Sequence, residues 1–217
     1  MKKQHKTVES ERKEWYNSKM NTENTSERSG KTFIISDTHW GHERVIEFGN
    51  RPQDFNQKII SNWRQTVLPQ DTVIHLGDVA WGSKERLYSI MNQLTGTIVL
   101  VRGNHDKSHS DSWFRDTGFS FVCQKVMIGK ILLSHMPSRL TEEEIEYGVK
   151  NIHGHFHNID HKMWEKNLIA RLTDSHYLLA IELVDYKPIL LSRAFEKNYV
   201  IRSNDILKGV ATNCPIE

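Results

Sequence analysis

The stretch that most constrains this chain runs Ile98-Val99-Leu100-Val101-Arg102-Gly103-Asn104-His105-Asp106. Its apolar, β-branched first half reads as a buried strand. The strand stops at Gly103 and then presents an amide, an imidazole and a carboxylate without a spacer. At the carboxyl end of a sheet strand, such side chains point into the crevice where ligands bind. A polar turn, with Asn104 and Asp106 bonding their own backbone, accounts for this stretch equally well when it is taken alone. Repetition separates the two readings, because four other stretches end the same way.

Those four are Ser36-Asp37-Thr38-His39, Leu76-Gly77-Asp78, Leu133-Ser134-His135 and His153-Gly154-His155-Phe156-His157. Each follows an apolar run: Thr32 to Ile35, Thr72 to Leu76, Ile131 to Leu133, and the shorter Val149 to Ile152. In chain order the set reads D-x-H, G-D, G-N-H-D, H and G-H-x-H. This set resembles the calcineurin-like metallophosphoesterase superfamily, over roughly residues 31 to 193. The resemblance implies an α/β fold, a two-sheet metallophosphoesterase sandwich flanked by helices. Taken singly, Asp37, Asp78 and His135 are more often caps or satisfied core residues. His155 and His157 taken singly fit an ordinary polar loop. The spacing from strand ends, repeated five times, is what argues against those readings.

The chain has 217 residues, enough for one domain with a full core. Lys and Arg total 29 against 27 Asp and Glu, a formal charge of +2, which does not suggest a general nucleic-acid-binding protein. Its 12 histidines are many for this length, and histidine is the commonest metal ligand. With only Cys123 and Cys214, a disulfide framework or thiolate zinc site is not expected. No apolar run reaches membrane-span length, and Met1-Lys2-Lys3 is followed by no apolar signal region. A cytoplasmic, reducing setting is the expectation, with no membrane partner.

Residues 1–30 are polar and charge-mixed and read as a mobile arm, with Trp15 and Tyr16 as its apolar features. The domain is expected over 31–195, followed by an irregular tail over 196–217. Helices are expected from Glu43 to Phe48, Phe55 to Leu68, Ser83 to Leu94, near Ser110 to Asp116, and from Thr141 to Tyr147. Gly129-Lys130 reads as a hairpin turn. Leu168 to Thr173, Tyr177 to Val184 and Ile189 to Ser192 suggest three late antiparallel strands, with Pro188 at an edge. Early strands alternate with helices and late ones do not, which fits an α/β core whose second sheet is antiparallel.

The resemblance assigns one metal to Asp37, His39 and His157, another to Asn104, His135 and His155, and makes Asp78 the bridge. Two dications about 3.5–4 Å apart repel, and a shared carboxylate reduces that repulsion. Carboxylate, imidazole and amide donors suit manganese first, and also iron, zinc or nickel. A water between the two metals loses a proton near neutral pH and attacks phosphorus in line with the leaving oxygen. The resemblance places His105 near the leaving group as proton donor or charge stabiliser, with Asp106 orienting it. His42 closes a D-T-H-x-G-H opening, and Arg51-Pro52 follows it, a stretch that resembles a subset of small superfamily members. His42 and Arg51 are candidates for contacting substrate phosphate, and Asn104 is another. His75 and His153 read as buried core histidines, and His109, His161 and His176 receive no role. Gly77, Gly103 and Gly154 are expected where backbone must approach closely or take positive φ.

The function expected is a metal-dependent phosphoric ester hydrolase, with a phosphodiesterase favoured. A phosphomonoesterase, a nuclease on the same site, or a non-catalytic metal-binding scaffold are the alternatives. A small phosphoester or nucleotide-type substrate is expected, and nucleic acid stays open as a substrate.

Overall fold

The computed structural model describes residues 29–158, 160, 162, 164–196 and 199–208. Trp15, Tyr16, His161 and nearly all of the expected arm lie outside the described residues. The elements below belong to the unit Lys31–Glu217. One five-stranded sheet runs β4-β3-β2-β1-β9. It comprises β1 (Thr32–Ile35), β2 (Thr72–His75), β3 (Thr97–Val101), β4 (Phe121–Cys123) and β9 (Ile189–Leu190). Strands β1 to β4 are mutually parallel, and β9 pairs antiparallel with β1. The second sheet runs β10-β8-β7-β6-β5. Its strands are β5 (Lys125–Ile128), β6 (Ile131–Ser134), β7 (Lys150–His153), β8 (His176–Leu178) and β10 (Ile201–Arg202).

Alternation along the strands builds two cores on the first sheet. Phe33, Ile35, Val73, Ile98, Leu100 and Val122 point to the helical side and are buried there. Their partners come from α1 (Val45–Phe48), α2 (Phe55–Thr66), α3 (Lys84–Met91) and α4 (Asp111–Thr117). Ile34, Ile74, Leu76 and Val101 point the other way and pack with Leu133 and Ile152 of the second sheet. Period-two burial on both faces is what a central sheet between a helical layer and another sheet requires. Helix α2 buries Phe55, Ile59, Ile60 and Trp63, one face at helical spacing. Ser83 caps α3 by accepting from the Arg86 N–H, and Ser110 caps α4 through the Trp113 N–H. Thr141 and Glu144 form a capping box on α5 (Glu142–Glu146). Among the described residues, no helix is long and apolar enough to cross a membrane.

The late part of the chain differs from the sequence reading. Only β5–β6 and β8–β10 pair antiparallel, while β6–β7 and β7–β8 are parallel, so the second sheet is mixed. Parallel neighbours need crossovers, which α5 supplies between β6 and β7, and α6 (Lys166–Ile169) between β7 and β8. Leu168, expected in a strand, lies on α6 and packs with Phe156 and Trp164. The run Tyr177 to Val184 is strand only to Leu178, then turns into a 3-10 segment, Ile181–Val184. A short apolar run does not by itself distinguish strand from buried turn. The expected irregular tail is also corrected in part: β10 and α7 (Ser203–Leu207) complete the second sheet's far edge.

Candidate metal centre

Strands β1, β2 and β3 end together with β6 and β7, and the loops leaving these ends carry all five sequence motifs. The chain bends sharply as it leaves them. Asp37, His39, Asp78, His155 and His157 have φ of 51°, 46°, 55°, 73° and 50°. Non-glycine residues avoid this left-handed region, at a cost of about 1–3 kcal/mol each. Hydrogen bonds between loops hold them there: the Asp37 N–H donates to the Gly77 carbonyl at 3.0 Å, and the His39 N–H to the Asp78 carbonyl at 3.0 Å.

Two glycines let the loops meet. A Cβ on Gly103 would collide with Asp78 Oδ1 and the Asp78 nitrogen. One on Gly154 would collide with Ser36 Oγ and Asp37 Oδ2. Both positions therefore exclude side chains because backbone passes directly against the acidic side chains, as the sequence reading expects.

The side chains converge in two groups. In each of them, Asp37 with His39 and His157, and Asp78 with His135 and His155, one atom per residue lies within 4.8 Å of the others. In the first group, His39 Nε2 faces His157 Nε2 at 3.2 Å, and His157 Nε2 lies 3.6 Å from Asp37 Oδ1. In the second, His135 Nε2 lies 3.2 Å from His155 Nδ1 and 2.7 Å from Asn104 Oδ1. Asp78 Oδ2 stands between the groups, 3.7 Å from His39 Nε2 and 3.4 Å from His135 Nε2. Asp37, His39, Asp78, His135 and His157 are buried, and Asn104 and His155 are half-buried.

Backbone and carboxylate partners aim the imidazoles. His135 Nδ1 donates to the Leu76 carbonyl at 2.8 Å, which turns Nε2 toward the centre. His157 Nδ1 donates to Glu182 Oε1 at 3.1 Å, with the same result. Burial opposes protonation of His135, but the Asp78 hydrogen bond and the Asp37 and Asp78 charges outweigh it and push its pKa up to about 9. Burial also opposes ionisation of Asp78, yet contacts with His135 and His39 hold its carboxyl below the usual range. The centre therefore attracts positive charge. Asp37 Oδ1 is buried without a hydrogen-bond partner. A buried carboxylate oxygen left unpaired is costly, and a cation among these donors would satisfy it. The donor chemistry thus fits divalent metals.

One expected role is corrected, and a second residue takes a further one. Arg51 was expected to reach substrate, but it is 3% exposed and lies under the β1 loop. Its guanidinium donates to Glu182 Oε1 at 2.6 Å, to the Asp37 carbonyl at 2.7 Å and to the Thr38 carbonyl at 3.0 Å. Those contacts engage its donors within the protein. Asp106, expected to orient His105, accepts from the backbone N–H groups of Asp78, Val79 and Gly103 at 2.9, 3.0 and 2.8 Å, a capping role compatible with that one. It pins the β2 loop to the β3 loop, which is the turn-capping alternative on a larger scale. His42 is brought to the rim, its ring 5.4 Å from that of His39, and His105 lies 5.5 Å from His39 on the open side.

The buried histidines behave as expected. Burial pushes His75 and His153 down to about 3, so both are neutral, and each is hydrogen-bonded: His75 to Thr38 Oγ1 at 2.8 Å, His153 to Ser203 Oγ at 2.9 Å. Sequence reasoning missed Glu182 and Trp81. Glu182 sits in an apolar run with no motif around it. Burial opposes its ionisation, but the His157 hydrogen bond and the Arg51 charge hold it at about 2. We expect Glu182→Gln to weaken metal affinity roughly 10–100-fold, the usual effect of removing such a carboxylate partner. Metal titration of the purified variant checks this, and an unchanged affinity would show that Arg51 alone fixes His157.

Fold and site together define a two-sheet α/β sandwich with a paired acid–imidazole centre at its strand ends. The chain belongs to the calcineurin-like phosphoesterase superfamily, whose domain model matches residues 31–182. It is similar to an uncharacterized protein of Methanocaldococcus jannaschii, 31% identical over 186 residues that cover 81% of this chain and 98% of that one. It is also similar to the Gene 66 protein of Mycobacterium phage L5, 33% identical over 84 residues, 36% of this chain and 41% of that one. A protein of unknown function from Aquifex aeolicus has a crystal structure that aligns with a TM-score of 0.57 and 28% identity, over 78% of this chain and 99% of that one.

Proposed function

We propose that this chain is a dinuclear-metal-dependent phosphodiesterase. The observation that carries the reading is the position of Asp78, whose one carboxylate oxygen faces both ligand groups. Asp37, His39 and His157 hold one metal, Asn104, His135 and His155 the other, and Asp78 is shared. Manganese is the first choice for this donor set, with iron, zinc and nickel next. Such ions, when bound, activate water and offset charge on the phosphoryl oxygens. No ligand in this assignment comes from residues 1–30.

The protein's own groups argue for diesters. A monoester dianion rewards extra positive charge around its free oxygens. Arg51 is engaged with Glu182, and Arg102 donates to Asp111 Oδ1 at 2.9 Å and to the Asp106 carbonyl at 2.8 Å. Neither guanidinium is free to clamp a phosphate. His105 is exposed beside the centre, where a leaving oxygen can take its proton. The short gaps between motifs, 79–102 and 136–153, leave no length for a separate cap domain, which favours a phosphate substituted twice. We expect manganese-loaded protein to hydrolyse bis-aryl phosphate with a kcat/KM about tenfold above that for the matching mono-aryl phosphate, roughly 1.4 kcal/mol of discrimination. A monoester preference would make the chain a phosphomonoesterase. Bound metal without turnover of either ester would favour the scaffold.

A further inference from the structure

Beside the metal centre lies a row of three rings, two exposed and one half-buried, that the chemistry above does not use. Trp81 is 56% exposed and Phe48 is 48% exposed. Between them sits His42. Its ring stacks on Trp81 at 4.9 Å and 16°, and meets Phe48 edge-on at 6.2 Å. The row reaches the centre at both ends: Phe48 packs on His157 at 5.7 Å, and Trp81 lies 6.3 Å from His105.

The row is a fixed platform. The Trp81 backbone N–H donates to the Trp40 carbonyl at 2.8 Å, next to a bridge between Trp40 and Ala80 that ties the β1 and β2 loops together, and the ring is braced by its stack on His42. Only one face of the indole is covered by His42, and the residue remains more than half open. A large apolar ring held rigidly in water beside a reaction centre is unfavourable for the free protein. It gains stability when a flat partner covers it.

We propose that the free face of Trp81, backed by His42 and continued by Phe48, stacks a nucleobase of the substrate on the leaving-group side of the centre. This rests on the phosphodiesterase reading above. Flat π-faces select aromatic substituents over aliphatic tails, and stacking tolerates any base. The side is set by His105: its ring, the one assigned to the departing oxygen, lies 6.3 Å from that of Trp81. Trp81 and His42 are therefore specificity-determining residues, and the substrate class is nucleotidyl diesters.

The test uses manganese-loaded full chain with thymidylyl-(3′→5′)-thymidine and two analogues, each lacking the base on one side. Product analysis identifies the leaving side. In the unsubstituted protein, losing the leaving-side base should lower kcat/KM by about tenfold, a typical stacking effect. In Trp81→Ala, the ratio between the based and abasic substrates should fall to near one. A second readout needs no turnover: quenching of tryptophan fluorescence by the dinucleotide should be largely lost in Trp81→Ala. Equal rates with and without the base, or unchanged quenching in the variant, would overturn the stacking role while hydrolysis of bis-aryl phosphate left the diesterase reading standing. Preference for a long-chain alkyl leaving group would overturn it in favour of an apolar tail. Failure to hydrolyse any diester would remove both readings together.

Discussion

Asp78→Asn is expected to lower phosphodiester hydrolysis on the order of 10³-fold, about 4 kcal/mol at the transition state, and to leave the protein with less than a full pair of metals. The wild-type carboxylate is 2% exposed, with Oδ1 accepting the His105 N–H at 2.9 Å and Oδ2 facing His39 and His135. An asparagine oxygen can keep the backbone bond, so the loops retain their position. Its amide nitrogen then faces the two imidazoles where negative charge stood. That removes the one anion shared between the sites, and two dications so close repel without it. Elemental analysis of the purified variant, run with the kinetics, checks the expectation. Two metals retained with near-normal turnover would show that Asp78 is not the bridge.

The site was legible because its residue types are rare at strand ends and recur at five of them. Asp37, His39 and His157 come together in one group and Asp78, His135 and His155 in another, with Asn104 Oδ1 2.7 Å from His135 Nε2. What could not be read was the surrounding support. Glu182 lies far along the chain from His157, inside a run whose neighbours are apolar, and nothing local marks it as a hydrogen-bond acceptor. Arg51 shows the converse. An arginine beside a site motif looks available for phosphate, and only its depth beneath the β1 loop shows that Glu182 and two carbonyls engage it. Positive φ at five motif residues is likewise silent in sequence, since none of them is glycine.

The fold divides along the same line. Elements with strong periodicity or side-chain caps were read well, such as α2 with its Phe55-Ile59-Trp63 face and α3 behind Ser83. The late strands were read only in part: β9 lies where an antiparallel strand is expected, and β8 covers only the start of the run from Tyr177. Leu168 and the run from Tyr177 to Val184 carry apolar residues that strand, short helix and 3-10 turn can all bury. Pairing partners decide among these, and β8 is fixed by its register with β7 and β10. Direction of pairing is a tertiary property: the second sheet is mixed because α5 and α6 provide room for crossovers.

His105→Ala should separate leaving-group chemistry from metal binding. His105 opens a 3-10 turn, and its backbone N–H, which the substitution keeps, is the group that bonds Asp78. The ring itself is 45% exposed, with Nε2 3.9 Å from Asp78 Oδ2, and it is absent from both ligand groups. The carboxylate of Asp106 accepts from three backbone N–H groups and stays in place whether or not the ring is present. Metal content is therefore expected to remain near wild type while turnover of alkyl-leaving diesters falls roughly 10²–10⁴-fold, the usual contribution of a positioned acid. The loss should shrink for nitrophenolate, which departs without a proton. Paired kinetics on diesters with alkoxide and nitrophenolate leaving groups decide the matter. Equal losses for both would assign His105 to holding the phosphate, since a hydrogen bond to a phosphoryl oxygen does not depend on the basicity of the group that leaves.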